Sequence, residues 1–169
     1  MIIVIMGTTG SGKTTVGTLL AQRTGWEFAD GDNFHPRANI EKMSRGIPLD
    51  DADRAPWLAI LHENIAAWLA AGQNAVLACS ALKQSYRDRL LVSPEVKLVY
   101  LKGAYELFAT RIHARKGHFA KEDILTGQFR DLEEPGNALT VDARLAPRQL
   151  VSQICGQLSL PCSGSLSPA

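Results

Sequence analysis

A three-layer α/β fold, with a five-stranded parallel sheet between two layers of helices, is predicted by three features of the sequence. Five short segments rich in Ile, Val and Leu have the continuous apolar character of strands buried on both faces. Between them lie longer segments whose apolar residues recur at helical spacing, and that alternation calls for parallel pairing through crossovers. The first strand also runs straight into a glycine-rich turn that opens a helix.

Ile2–Met6 is the first strand, apolar throughout. A helix over Lys13–Arg23 follows the turn, carries Val16, Leu19 and Leu20 at helical spacing, and is stopped by Gly25. Trp26–Ala29 is a short strand that leads into the polar loop Asp30-Gly31-Asp32. Pro36 and Ala38–Ser44 read as a short helix, ended by Arg45-Gly46. Asp50 or Asp51 caps a longer helix whose Trp57, Leu61, Ile65, Trp68 and Leu69 share one face, with Gly72 just past its end. Ala75–Cys79 is the third strand, Leu82–Val92 a helix, and Lys97–Lys102 the fourth strand. Tyr105–Arg115 and Glu122–Leu132 are helices around a polar turn, Leu139–Asp142 is the last strand, and Arg148–Leu158 the last helix. The turn-prone residues 159–169 are expected to form a disordered tail, which leaves one domain over 1–158. Trp57 and Trp68 read as core or interface fillers and Cys79 as an inert buried residue.

Hydrophobic residues make up 46% of the 169-residue chain and charged residues 21%, values that argue against global disorder. The formal net charge is +1 and no long Lys/Arg run occurs, so nucleic-acid binding has no electrostatic support. No apolar run is long enough to span a bilayer, and the N-terminal one is too short and lacks the basic flank of a signal peptide. Cys79, Cys155 and Cys162 look like neither a disulfide framework nor a metal site. A reduced, cytoplasmic setting is the expectation.

The strongest chemical signal is Gly7-Thr8-Thr9-Gly10-Ser11-Gly12-Lys13-Thr14, which satisfies G-x-x-x-x-G-K-[ST] between a buried strand and a helix. Such a loop is a P-loop. Its glycines let backbone N–H groups curl around phosphate, and the helix N-terminus adds partial positive charge. Lys13 reaches the β and γ oxygens of ATP, and the Thr14 hydroxyl binds Mg²⁺. Thr15 and Arg111 complete the expected nucleotide set. The fold class thus sharpens to a P-loop NTPase fold. The third strand ends in Cys79-Ser80-Ala81 rather than in the usual metal-orienting acid, so Asp30, at the end of strand two, is the candidate second metal residue. Asp30-Gly31-Asp32-Asn33-Phe34-His35-Pro36 sets two carboxylates and an imidazole on one loop. In an extended loop Asp30 and Asp32 share a side, one to orient the metal and one to take a proton from a substrate hydroxyl. A merely solvated turn would use the same residue types.

The P-loop, residues 30–36, Asn39-Ile40-Glu41-Lys42-Met43, the stretch Gly46–Leu58 with Asp50-Asp51-Ala52-Asp53-Arg54, and Cys79-Ser80-Ala81-Leu82-Lys83-Gln84-Ser85-Tyr86-Arg87-Asp88 together resemble the gluconokinase family. Tyr100-Leu101-Lys102-Gly103, Arg115-Lys116-Gly117-His118-Phe119, Gln128-Phe129 and Leu132-Glu133-Glu134-Pro135 continue the likeness, which covers about residues 2–155. The resemblance implies an ATP:gluconate 6-phosphotransferase of the shikimate-kinase-like group, acting in sugar-acid catabolism as a homodimer. It implies a catalytic set of Lys13, Asp32 and Arg115. It adds Asp32, His35, Arg54, Lys83, Arg87, His118 and Gln128 as substrate contacts.

Residue chemistry agrees with parts of this. Arg54 near a helix start can clamp a carboxylate with two parallel hydrogen bonds, or else pair with Asp50, Asp51 or Asp53 on the surface. Lys83 and Arg87, four apart, form either a second anion contact or a solvated basic face. His35 either meets substrate hydroxyls or orients Asp32. Arg111, Arg115, Lys116 and His118 surround the turn between two late helices, in a lid expected within about residues 111–132 that excludes water and brings positive charge to the phosphoryl group. An exposed basic helix end complementing the helix dipole is the plainer account. Two rivals remain: another small-molecule kinase such as a shikimate kinase, and a non-enzymatic nucleotide-binding switch.

Overall fold

The computed structural model describes residues 1–114 and 119–162, with side-chain surroundings from residue 122 onward in the second span. Its centre is β1 (Ile2–Met6), whose five residues have no exposed surface. β2 (Glu27–Asp30), β3 (Ala75–Ala78), β4 (Val96–Lys102) and β5 (Leu139–Asp142) complete a five-stranded sheet in the order β2-β3-β1-β4-β5. Every pairing is parallel, with Ile5 beside Ala78 on one side and Val99 on the other. A central strand flanked and covered on both faces has no wet side, which is why β1 is apolar without alternation.

The pleat sends alternate residues to two separate cores. Ile3, Ile5, Val76, Val99 and Leu101 meet α1 (Lys13–Thr24), α5 (Tyr105–His113) and α7 (Pro147–Gln157) through Leu20, Phe108 and Ile154. Ile2, Val4, Met6, Leu77 and Leu98 meet α3 (Asp51–Ala70) and α4 (Gln84–Leu90) through Trp57, Leu61, Ile65 and Tyr86. Full burial of each such side chain contributes about 1.5–3 kcal/mol. The short α2 (Arg37–Ser44) bridges β2 to α3, and α6 (Phe119–Asp131) sends Leu125 into the α1 side of the core. The fold is therefore the predicted open parallel α/β sheet. The order of strands changes direction at β1, so the glycine-rich turn leaves the sheet at the switch point where such folds bind ligands.

Three local expectations change. Residues 31–34 are not extended but form a 3₁₀ turn, because Asp30 Oδ1 accepts from Asp32 N at 3.1 Å and closes it. The helix expected over 82–92 shortens to α4, since Ala81 takes φ 44° and Lys83 stays extended as its cap. The cysteines do include a pair: Cys155 and Cys162 form a disulfide, with Cα atoms 6.2 Å apart. The chain reverses after α7, where Leu160 N donates to Cys155 O at 2.9 Å, and Leu160 and Cys162 pack on the core. Among the described residues no helix is long and apolar enough to cross a membrane.

Candidate active site

Gly10 and Gly12 hold φ of 78° and 98°, the left-handed region that turns the loop back on itself ahead of α1. A Cβ on Gly10 would also stand 3.0 Å from the Phe108 carbonyl oxygen, so the loop is fitted closely against α5. Two buried hydroxyls of the loop, Thr8 Oγ1 and Ser11 Oγ, have no partner among the described residues. Unused donors of this kind suit a loop that receives an anion. Lys13 Nζ donates to Thr8 O at 3.0 Å. Burial pushes its ammonium below the ordinary lysine range, opposed first by Asp32 and also by Asp30. Both carboxylates of the β2 loop therefore act on the P-loop lysine.

Thr14 Oγ1 donates to Asp30 Oδ2 at 2.8 Å. The two residues named for the metal, 16 positions apart in sequence, thus meet. A hydroxyl and a carboxylate are hard oxygen donors that match Mg²⁺, which keeps several of its own waters and needs few protein ligands. The close fit of β2 makes this possible: a Cβ on Gly31 would lie 2.8 Å from the Ala78 carbonyl oxygen, so only glycine lets the strand end approach β3.

Asp32 lies exposed on the 3₁₀ turn. His35 follows, stacked on the Trp57 ring with centroids 4.4 Å apart and planes 15° from parallel. Trp57 is fixed in turn by donating Nε1–H to Gly31 O at 2.8 Å. It is core, as expected, and also the floor of the acceptor loop. Asp50 caps α3: Asp53 N donates to Asp50 Oδ1 at 2.8 Å, and Asp50 N to Asp53 Oδ2 at 3.1 Å. Capping by Asp50 leaves Asp51 free to take Lys83 Nζ at 2.7 and 2.8 Å, while Lys42 pairs with Asp53 at 2.5 Å. The acids near Arg54 are thus engaged elsewhere, Asp51 and Asp53 by lysines and Asp50 by the helix end. Arg54 makes no ion pair among the described residues; its Nη1 lies 3.4 Å from Tyr86 Oη, and its guanidinium carbon 5.8 Å from that ring. Tyr86 also donates to Asp51.

Other candidates go elsewhere. Arg87 does not share a face with Lys83. It is 1% exposed and donates to Ala81 O, Leu82 O and Gln84 Oε1 at 3.1, 2.7 and 2.8 Å, so it builds the loop after β3. Gln128 reaches the P-loop, where its Oε1 accepts from Thr9 N at 2.6 Å. Arg111 donates to Ala143 O at 2.7 Å and to Ser11 O at 3.5 Å, on the P-loop flank away from the acceptor turn. Arg115 and His118 lie outside the described residues. Burial raises the Cys79 thiol to about 12, so it stays protonated. A cavity of about 520 Å³ beside Val96 and Lys97 lies at the opposite end of the sheet from the P-loop.

Sequence reasoning passed over Tyr86 and Asn39. Each lies in a quoted block, yet neither has a chemical signature of its own. Their contacts, Arg54 to Tyr86 across 32 positions and Asn39 to Asp53 across 14, are tertiary.

Residues 2–135 match a family described as an AAA domain. The gluconokinase of Gluconobacter oxydans (strain 621H) is 48% identical over 136 residues, which span 80% of this chain and 76% of that protein. The thermoresistant gluconokinase of Escherichia coli (strain K12) is 46% identical over 136 residues, 80% of this chain and 78% of that one. The crystal structure of a gluconokinase from Sinorhizobium meliloti 1021 superposes with a TM-score of 0.83 at 41% identity, covering 93% of this chain and 90% of the other.

Proposed function

Because this chain belongs to the gluconokinase family, we propose that it transfers the γ-phosphoryl group of ATP to the 6-hydroxyl of D-gluconate, giving 6-phospho-D-gluconate and ADP. The observation that carries the reading is the meeting of two sites at one sheet edge. A P-loop with its Thr14–Asp30 contact lies beside a loop holding Asp32 and His35, and the first turn of α3 adds Arg54, without a carboxylate partner among the described residues.

Residues 7–15 hold the phosphates through the backbone N–H groups that the loop leaves free, and Lys13 leaves Thr8 O to bridge the β and γ oxygens. Thr14 and Asp30 hold Mg²⁺, which when bound neutralises charge on the phosphate oxygens. Arg54 receives the substrate carboxylate, and its planar fork suits two parallel hydrogen bonds. Asp32 holds the attacking hydroxyl in line and takes its proton as the oxygen bonds to phosphorus and the bond to the β-phosphate oxygen breaks. Lys83, His35 and the lid residues Arg115 and His118 remain in the proposed set. The same proposal carries the homodimer that the resemblance implies and the cytoplasmic setting expected from the cysteine usage, and sedimentation velocity tests the pairing.

Purified protein with Mg-ATP should phosphorylate D-gluconate much faster than shikimate, glucose or a nucleoside monophosphate, read by coupled ADP release. Equal or better turnover of any of these would sink the assignment, and slow hydrolysis that no acid stimulates would favour a nucleotide switch. Asp30→Asn keeps shape but removes charge beside Thr14. It should raise the Mg²⁺ concentration for half-maximal rate by about tenfold, the scale of one charge-assisted contact. An unchanged Mg²⁺ dependence would remove Asp30 from the metal site.

A further inference from the structure

Asn39 is among the few polar side chains buried in the described residues, at 3% exposure, and it sits on the short α2 between the acceptor turn and α3. Its Nδ2 lies 2.9 Å from the Asp53 carbonyl oxygen. A carbonyl only accepts, so that atom is the amide nitrogen and not the oxygen of a flipped amide. The same Nδ2 lies 3.3 Å from His35 Nδ1. An amide NH₂ has two protons to give and accepts nothing. One proton goes to Asp53 O, the other faces His35 Nδ1, and Nδ1 must accept. The imidazole proton is therefore on Nε2. The ring plane is fixed independently by the stack on Trp57, itself tied to Gly31 O. Among the described residues nothing accepts from Nε2.

We propose that Asn39 is a positioning residue that locks His35 as the neutral Nε2–H tautomer, so that the imidazole offers one uncharged donor to an oxygen of the polyhydroxy acid. The proposal rests on the gluconate-kinase reading for the identity of that oxygen, but not for the tautomer. Protonating Nδ1 would set an N–H against the Asn39 NH₂ and lose the bond, so the amide opposes the imidazolium. The charged groups acting on the ring are Asp32 from the acceptor turn and Arg54 from α3. Burial, the largest influence, holds His35 below the ordinary histidine range; Asp32 opposes it and Arg54 reinforces it.

The test is ¹⁵N-resolved NMR of the full chain with labelled histidine, without gluconate, alongside pH–rate profiles. His35 should show a protonated Nε2 and a bare Nδ1 across neutral pH. Asn39→Asp keeps the shape but presents an oxygen that favours a proton on Nδ1. It should shift the nitrogen signals towards the imidazolium, raise the gluconate KM by about tenfold, the scale of one hydrogen bond, and leave the ATP KM unchanged. It should also bring a new ionisation near neutral pH into kcat/KM. His35→Gln, whose side chain does not titrate, should abolish that ionisation in the Asn39→Asp background. A proton on Nδ1 in the unmodified protein overturns the proposal. So does an Asn39→Asp variant that loses thermal stability with its pH profile unaltered. If that variant does not fold, the spectrum of the unmodified protein still decides. Failure on gluconate alone, with the Nε2–H tautomer present, would overturn the substrate reading and not the lock.

Discussion

Lys13→Ala is expected to lower turnover by about a hundredfold or more, the cost of one preorganised electrostatic contact to developing charge. The residue opens α1, directly behind the left-handed Gly12. It belongs to neither core cluster, so its removal opens no apolar cavity. Its Nζ is held on Thr8 O within the loop, and burial favours the neutral amine while Asp32 and Asp30 favour the charge. An ammonium held on Thr8 O, with the site's own carboxylates favouring its charge, is poised to exchange Thr8 O for phosphate oxygens. The mutant should melt within a few degrees of the parent. Single-turnover kinetics at saturating Mg-ATP and gluconate give the decisive number, and a folded mutant of near-normal rate would take Lys13 out of the site.

The second large effect is expected at Asp32. Asp32→Asn should cut turnover on the order of a hundredfold, the lower end of what a positioned general base contributes, and leave ATP binding intact. The backbone argument is specific: the turn is closed by Asp32 N donating to Asp30 Oδ1, a bond the substitution does not touch. The side chain is exposed on that turn and yet acts electrostatically on both Lys13 and His35. A carboxylate so placed links the acceptor loop electrostatically to the phosphate-binding lysine. Asparagine preserves shape but cannot receive a proton. Turnover within twofold of the parent, with gluconate still bound, would return Asp32 to the rank of a turn former.

The division between Asp30 and Asp32 was legible in part. Their nearness to strand two and their charge could be read from seven consecutive residues. Their mutual geometry could not, because Asp30 spends one oxygen on closing a 3₁₀ turn, and extended-chain alternation does not apply there. Arg87 illustrates the opposite limit. Helical spacing put it beside Lys83, but the helix starts one residue after Lys83, which caps it in extended conformation, and Arg87 donates to two loop carbonyls and to the Gln84 side chain. Arginine is almost never fully buried unless its donors are used, and composition alone carries no sign of which carbonyls will use them. Gln128 is similar: it finds Thr9 N from 119 positions away.

By itself the sequence determined whatever depends on neighbours along the chain. The P-loop is such a feature, since its glycines set φ and its lysine and threonine follow at fixed offsets. The buried strands are another, since a run of branched apolar residues needs cover on both faces. The capping of α3 by Asp50 or its neighbour was also within reach, because a cap and its N3 partner are three residues apart. The tertiary structure decided which charges are paired and which are left for a ligand. Asp51 goes to Lys83, Asp53 to Lys42, and Arg54 makes no ion pair among the described residues and lies against Tyr86. It decided the Cys155–Cys162 pair and the approach of Asn39 to His35. These outcomes follow from how the crossovers stack helices on the sheet. A hydrogen bond is worth little until both partners are brought within about 3 Å and shielded from water, and no local propensity encodes that approach.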